Sequence, residues 1–176
     1  MRLWGKFHGL TQNFFEIFQL PIQFNINEKK LDENYRLILK SIHPDRFVNA
    51  TDAEKTQSLL KSTQINDAYK VLKNPIERIE YLLKINNISP NVTLDNNFLM
   101  QQMEMEEKLE GQSNIEQLTK FLNEITKNLN EKFQQVKRQL DEERNYAAVV
   151  SELAKIKFLA KLNQKIKDKS FSLMAD

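Results

Sequence analysis

Apolar and aromatic residues recur along much of the chain at intervals of three and four positions, the spacing that aligns side chains on one face of an α-helix. An early example begins near Asn27 and reaches about Ile42, and Pro44 stops it because proline has no N–H to donate. Four residues at this spacing are expected to form its buried face: Leu31, Tyr35, Ile38 and Ile42. The pattern predicts a helix with one face in a core and the other in water.

Three more helices are predicted in the first half of the chain. A short aromatic helix over residues 13–18 comes first, a long one spans about 52–74, and a short one over 76–83 follows at once. A segment rich in asparagine, serine and proline comes next. Such residues favour irregular backbone, so residues 85–93 are predicted to be a linker between two domains.

The second half contains three longer helical patterns. The first covers about 95–110 and breaks at Gly111. The second carries Leu118, Leu122, Ile125, Leu129, Phe133, Val136 and Leu140, and the third carries Tyr146, Val149, Val150, Leu153, Ile156 and Ala160. Helices joined by short turns pack as antiparallel neighbours, so we expect a three-helix bundle over 94–176 in an all-α protein.

Composition supports helices and narrows the chemistry. Only 3 glycines and 4 prolines occur in 176 residues, which argues against a β-rich fold with many tight turns. Hydrophobic residues make up 40% and charged residues 28%, so the chain can bury a core and stay soluble. A net charge of +2 gives no overall signal for nucleic-acid binding.

Cysteine is absent, which excludes disulfides and thiolate metal or iron–sulfur sites, and we expect no metal or cofactor. This absence fits a reducing cytoplasm, with an organelle matrix as the alternative that the sequence leaves open. No apolar run reaches the roughly 20 residues of a membrane helix. Residues 1–12 lack the continuous apolar run of a signal peptide, and we interpret them as a disordered extension or, alternatively, a short organellar presequence.

The most informative short motif is His43-Pro44-Asp45, between two predicted helices and followed by Arg46. His43 and Asp45 are an unconvincing acid/base pair, because Pro44 separates them and no nucleophile or metal cluster accompanies them. We therefore expect no catalytic residue and no enzymatic activity.

The helix before this motif has a basic side. Lys29, Arg36 and Lys40 fall opposite its apolar face, with Glu33 among them. Such a surface can steer an acidic partner toward the protein. The alternative is that these charges only keep an exposed helix face hydrated.

The motif and its surroundings resemble a J-domain: a basic helix, the His-Pro-Asp loop, and then Ile65-Asn66-Asp67-Ala68-Tyr69-Lys70-Val71-Leu72-Lys73-Asn74-Pro75. This resemblance implies a helical hairpin over 13–84 that docks on the nucleotide-binding half of a DnaK-type chaperone and promotes its ATP hydrolysis. The implied contact residues are Lys29, Arg36, Lys40, His43, Pro44, Asp45 and Arg46.

The helix over 95–110 has more apolar surface than one core contact needs. Phe98, Met105 and Leu109 fall within about 40° of one another and suffice to face the bundle. A separate arc holds Leu99, Met100 and Met103, beside Glu104 and Glu107. Phe158 points about 140° away from Leu153 and is predicted to lie off the core. Methionines suit an adaptable protein-binding patch, although these residues could instead cover the first domain as core.

The chain also resembles the HscB family, the J-domain co-chaperones of iron–sulfur cluster assembly, at residues 13–21, 75–83 and 98–104. Arg46 stands where the family usually has lysine, and the absence of a cysteine-bearing zinc extension matches the bacterial form. The resemblance implies an HscA-type chaperone partner and an IscU-type scaffold that contacts Leu99, Met100, Met103, Glu104, Glu107 and Phe158. A J-protein with another client, or a helical nucleic-acid or structural protein, are the rival interpretations.

Overall fold

The computed structural model describes residues 13–42, 51–90 and 95–175, and within these ranges it consists of seven α-helices and one π-helical turn, without strands. The prediction of an all-α fold is confirmed. The chain divides after Ile85 into two compact units. We call them the N-terminal unit and the C-terminal unit and describe each by itself.

The N-terminal unit begins with a one-turn helix, α1, Phe14–Ile17. Asn13 caps it reciprocally: its side chain accepts the N–H of Glu16 at 3.0 Å, and the Glu16 carboxylate accepts the N–H of Asn13 at 3.2 Å. This cap stabilises a helix of one turn, which has too few hydrogen bonds of its own to be stable without it. The turn places the Phe15 and Phe18 rings in the core.

Helices α2, Glu28–Ile42, and α3, Asp52–Lys73, form the hairpin of this unit. The Asn27 carboxamide oxygen accepts the N–H of Lys30 at 3.0 Å, and Thr51 caps α3 through its hydroxyl. Both starts therefore lie where the cap residues in the sequence predicted them. Helix α4, Pro75–Ile85, follows α3 directly and extends beyond the predicted residue 83.

Side-chain contacts between α2 and α3 fix their register. The Ser58 hydroxyl donates to the Ile42 carbonyl at 2.8 Å, close to the end of α2. Nearer the start of α2, the Tyr69 hydroxyl donates to Asp32 at 3.0 Å. Since later residues of α2 meet earlier residues of α3, the two helices run antiparallel. Between these contacts the rings of Tyr35 and Tyr69 stack at 3.9 Å, with their planes 15° apart.

Arg78 ties α4 to the rest of the N-terminal unit. Its side chain is buried, and Nε donates to the carbonyl of Leu72 at 2.7 Å while Nη1 donates to the carbonyl of Phe24 at 2.9 Å. Its Nη2 lies 3.5 Å from the Glu28 carboxylate. One guanidinium thus joins the last turn of α3, the segment before α2 and the first turn of α2.

The C-terminal unit contains α5, Asn96–Glu110, α6, Ile115–Lys137, and α7, Tyr146–Ala175, with the π-helical turn Arg138–Glu142 after α6. Asp95 and Asn114 cap α5 and α6 through their side chains. These helices form the predicted three-helix bundle.

Cross-helix contacts show the direction of each helix in the bundle. Thr126 accepts a hydrogen bond from Asn163 at 2.8 Å, and further along α6 Lys132 lies 2.7 Å from Glu152, so α6 and α7 are antiparallel. Helices α5 and α7 run parallel, because Glu106 pairs with Lys165 and the carbonyl of Leu109, further along α5, accepts from Lys169.

The bundle core contains residues from all three helices: Leu109, Leu118, Phe121, Ile125, Leu159, Leu162 and Ile166. The predicted stripe of α6 is partly right, because Leu118 and Ile125 are buried whereas Leu122 and Leu129 are only half-buried. Phe121 is buried although it lies outside that stripe. Buried Phe121 therefore makes the apolar face of α6 broader than the predicted stripe, and the core residues of α7 continue past Ala160 to Leu162 and Ile166.

The prediction that Phe158 lies off the core is wrong. Phe158 is half-buried, packs against the bundle core, and meets Phe98 edge-on with ring centroids 6.1 Å apart and planes at 88°. The helical angle from Leu153 described only one contact face. Helix α7 packs against both α5 and α6, so it has two buried faces, and Phe158 belongs to the one that meets α5.

A buried charge lies between α6 and α7. The Glu152 carboxylate is buried, and Lys132 and Lys155 approach it at 2.7 Å and 3.0 Å. Burial raises the pKa of this carboxyl, but the two lysine hydrogen bonds and charges lower it by more, so its pKa lies below the usual value of a glutamate. Glu152 is therefore ionised and paired at neutral pH.

Candidate protein-binding surfaces

The His-Pro-Asp motif connects the two helices of the hairpin. His43, Pro44, Asp45 and Arg46 lie outside the described residues, as do residues 1–12 and part of the predicted linker. The flanking helices are described, with α2 ending at Ile42 and α3 beginning at Asp52. The roles predicted for the four motif residues stay predictions.

Helix α2 has the predicted division into an inward and an outward side. Leu31 and Ile42 are buried, and Tyr35 and Ile38 are half-buried. The outward side exposes Lys29, Lys30, Glu33, Arg36 and Lys40. We call these five residues, of which four are cationic, the basic face of α2.

Acidic residues elsewhere on α2 are held by α3. Lys73 lies 3.3 Å from Glu28 and 3.0 Å from Asp32. The Lys73 hydrogen bond lowers the pKa of the Asp32 carboxyl, burial raises it by less, and the Tyr69 hydroxyl lowers it further. Two of the acidic residues of α2 are thus paired with α3, which leaves the basic face with an excess of positive charge.

Helix α5 also has two distinct sides. Phe98 and Leu109 are buried, and Met105 packs against the bundle core, as predicted. On the other side, Leu99, Met100 and Met103 are 42%, 59% and 64% exposed. Packing of the bundle uses one side of α5 and leaves these three apolar side chains in solvent.

Two carboxylates border the exposed apolar residues of α5. Glu104 and Glu107 are exposed, and neither has an ion-pair partner within 13–42, 51–90 and 95–175. Glu106, in contrast, pairs with Lys165 of α7 at 2.6 Å. We call the exposed set the acidic–methionine face of α5: Leu99, Met100, Met103, Glu104 and Glu107.

Contacts from the other two helices hold α5 in place. Lys108 pairs with Glu124 of α6 at 2.6 Å. Lys169 of α7 donates to the carbonyls of Leu109 and Glu110 at 2.8 Å and 3.0 Å, which satisfies acceptors at the C-terminal end of α5. The acidic–methionine face is therefore presented by a helix that both neighbours fix.

Sequence reasoning missed Leu37 of α2. Its side chain is 60% exposed and belongs to the same outward side as Glu33 and Lys40. At 100° per residue, Leu37 lies about 130° from the centre of the buried stripe, so helical periodicity alone could have identified it.

Two other kinds of feature, a metal site and a membrane-spanning helix, are not found in the described part of the chain. No group of three or more histidine, aspartate or glutamate side chains there could hold a metal ion. None of the helices there is long and apolar enough to cross a membrane.

Comparison with known proteins covers both units. Residues 94–167 match the family model described as the HSCB C-terminal oligomerisation domain. The co-chaperone protein HscB homolog of Colwellia psychrerythraea is 35% identical, over 93% of this chain and 99% of that protein. The solved structure of chaperone HscB from Vibrio cholerae matches with a TM-score of 0.83 at 33% identity, covering 92% of this chain and 99% of that one.

Human co-chaperone HscB has a similar structure, with a TM-score of 0.86 at 27% identity, covering 92% of this chain and 84% of the human one. The similarity thus includes the hairpin that carries the basic face and the bundle that carries the acidic–methionine face. On this evidence, the chain belongs to the HscB family of co-chaperones.

Proposed function

We propose that this chain stimulates ATP hydrolysis by a DnaK-type chaperone of the HscA kind and delivers an IscU-type scaffold to it, in the service of iron–sulfur cluster assembly. The observation that carries the proposal is that each unit exposes a helix face that its own packing does not use. The two faces differ in chemistry: one is basic and the other is acidic and apolar. They therefore suit two different partners.

The basic face of α2 suits the chaperone. Clustered cations attract an acidic surface over distances of about 8 Å at physiological ionic strength and raise the rate of encounter. The His43-Pro44-Asp45 motif follows α2 directly in sequence, with Arg46 next to it. In this proposal the basic face guides docking, and the motif then promotes hydrolysis by the chaperone, which supplies the catalytic residues.

The acidic–methionine face of α5 suits the scaffold. Methionine and leucine side chains supply apolar area that a partner can remove from water, and Met100 and Met103 can adapt to its shape. Glu104 and Glu107 would then pair with cations at the edge of the contact. Phe158 of α7 supports the helix that carries this face, because its ring packs against Phe98 on the buried side of α5.

One chain that binds both partners makes their encounter intramolecular. Tethering raises the effective concentration of the scaffold near the chaperone without any direct contact between the two. We assign chaperone binding to 13–84 and scaffold binding to 94–176, joined by the linker 85–93, and we place this activity in the cytoplasm.

The decisive experiment measures ATP hydrolysis by an HscA-type chaperone with and without an IscU-type scaffold. Wild-type protein should stimulate hydrolysis, and scaffold should increase the stimulation. His43→Gln should abolish both effects and retain scaffold binding. Full stimulation by the folded His43→Gln variant would refute the proposed mechanism.

A second experiment tests the basic face. Replacing Arg36 and Lys40 with alanine should slow association with the chaperone at low salt, and the difference from wild type should diminish as salt is added. Equal association rates at low salt would mean that the basic face serves only to keep α2 hydrated.

A J-domain co-chaperone with a different client is the second candidate, because methionine-rich faces accept more than one partner shape. Binding of an IscU-type scaffold should require Leu99 and Met103 if the first proposal holds. If this chain stimulates the chaperone ATPase but does not bind the scaffold, the result would favour the second candidate.

A further inference from the structure

One apolar side chain stands among the charges of the basic face. Leu37 is 60% exposed, with Glu33 one turn before it and Lys40 one turn after it. Isolated exposed leucines are common on protein surfaces and need no special explanation. The position of Leu37 among residues proposed to bind the chaperone is what distinguishes it.

Packing of the N-terminal unit leaves most of the Leu37 side chain unburied. The inward side of α2 is filled by its apolar stripe, in which Leu31 and Ile42 are buried. Lysine, glutamine and glutamate are about as compatible with helix as leucine, so the helix itself does not need an apolar residue there. A leucine at this position therefore contributes chiefly to the outer surface.

Charges and apolar contacts affect different steps of binding. Exposed charges accelerate encounter, but they add little to the lifetime of a complex because water and salt screen them. An apolar group that becomes buried at the centre of a contact, with polar residues around it, mainly slows dissociation. The basic face has the rim for such a contact, and Leu37 can supply its centre.

We propose that Leu37 is the apolar anchor of the chaperone-binding face and that the chaperone presents an apolar pocket bordered by carboxylates opposite it. This inference rests on the proposed function of the basic face. Charge complementarity identifies the occupant: Lys29, Lys30, Arg36 and Lys40 outnumber Glu33, so the surface around the pocket must be acidic. Leu37 then sets the lifetime of the complex, and the cations set its rate of formation.

The test is a kinetic measurement of binding to the HscA-type chaperone, with the full-length chain. Leu37→Ala should increase the dissociation rate about tenfold and change the association rate less than about twofold, as expected when one apolar anchor is truncated. Leu37→Met, which keeps most of the apolar area, should stay close to wild type. The Arg36→Ala, Lys40→Ala double variant should show the opposite signature, with slower association and a nearly unchanged dissociation rate.

Leu60→Ala is the matched control, because Leu60 is also 60% exposed but belongs to α3 and not to the basic face of α2. It should bind like wild type. Equal dissociation rates for Leu37→Ala and wild type, or an equal acceleration by Leu60→Ala, would overturn the inference. Failure of wild-type protein to bind the chaperone would instead overturn the proposed function, so the two failures are distinguishable.

Discussion

Each unit buries a core of apolar side chains, but different kinds of contact accompany that burial. In the N-terminal unit, stacked tyrosine rings and hydrogen-bonded polar side chains such as Asp32 and Lys73 join α2 to α3. In the C-terminal unit, a continuous cluster of leucine, isoleucine and phenylalanine residues joins three helices. Directional contacts fix the register of a small hairpin, whereas apolar burial supplies free energy in proportion to area and specifies register less strongly.

The bundle nevertheless contains its own directional contacts. Glu152 of α7 pairs with Lys132 of α6 and with Lys155 on its own helix, and Asn163 of α7 donates to Thr126 of α6. Buried polar pairs contribute little net stability but penalise every alignment that leaves them unpaired. The comparison therefore suggests that apolar burial stabilises the bundle and that a few polar pairs select its alignment.

The largest effect is expected from the apolar cluster. Leu162 is fully buried in the bundle core, and Leu162→Ala should lower the free energy of unfolding of the C-terminal unit by about 2–5 kcal/mol. Hydrogen exchange resolved by residue can measure this loss separately for each unit. Met174→Ala, at an exposed position of the same helix, is the control and should change stability little. A small loss in Leu162→Ala would contradict the assignment of stability to apolar burial.

A polar truncation should also be costly in the N-terminal unit. Arg78→Ala removes charged hydrogen bonds to the carbonyls of Leu72 and Phe24, and we expect a loss of about 1.5–3 kcal/mol in its free energy of unfolding. Arg78→Lys keeps the charge but lacks the forked geometry, so most of the loss should persist. Denaturant unfolding measures both variants. Wild-type stability of Arg78→Lys would show that charge alone is needed.

Phe158 connects stability with the proposed binding surface. Its ring is only half-buried, so Phe158→Ala should cost less than a fully buried phenylalanine, about 1–2 kcal/mol of unfolding free energy. Urea unfolding of the C-terminal unit measures this cost. An unchanged midpoint would return Phe158 to the surface, where its sequence periodicity had suggested it lies.

The pH dependence of the bundle tests its buried charge. Because the pKa of Glu152 is lower in the folded state than in the unfolded chain, its stabilising contribution is present above the unfolded pKa of about 4.3. This contribution is lost as pH falls through the lowered folded pKa. Glu152→Gln should therefore flatten the acid limb of the stability curve, with a smaller effect at neutral pH than Leu162→Ala. An acid limb identical to that of wild type would exclude Glu152 as its source.

The smallest effect on stability is expected at the acidic–methionine face. Replacing Leu99 and Met103 with alanine should change the free energy of unfolding by only about 0.5 kcal/mol or less per site, because both side chains are exposed. Scaffold affinity should nevertheless fall strongly, as measured by calorimetry. A large drop in the unfolding midpoint would assign these residues to the core. The proposal that this face binds the scaffold would then lose its structural support.

Helix limits could be predicted from the sequence because the signals that set them are local. Asn13, Thr51 and Asp95 cap helices through hydrogen bonds to residues three positions away. The exposed side of α5 was equally predictable, since Met103 falls outside the arc that one packing contact requires. Local spacing contains enough information for both.

Contacts between distant residues could not be predicted in the same way. Asp32 and Lys73 are 41 positions apart, and no local pattern connects them. Periodicity also gives the direction of a side chain but not the number of neighbouring helices, and for this reason Phe158 was misjudged and Phe121 was left out of the predicted stripe. Leu37 was overlooked because a single apolar residue among charges barely alters a stripe.

The attachment of α5 has a consequence for protein engineering. Lys165 and Lys169 contact residues of α5 that do not belong to the acidic–methionine face. Side chains of that face can therefore be substituted without repacking the bundle. Under the proposed function, exchanging Glu104 and Glu107 for lysine, together with acidic substitutions on the client, would create a second binding pair that does not cross-react with the first. Two such pairs of co-chaperone and client could then function in one cell, and each co-chaperone would bring its own client to the same chaperone.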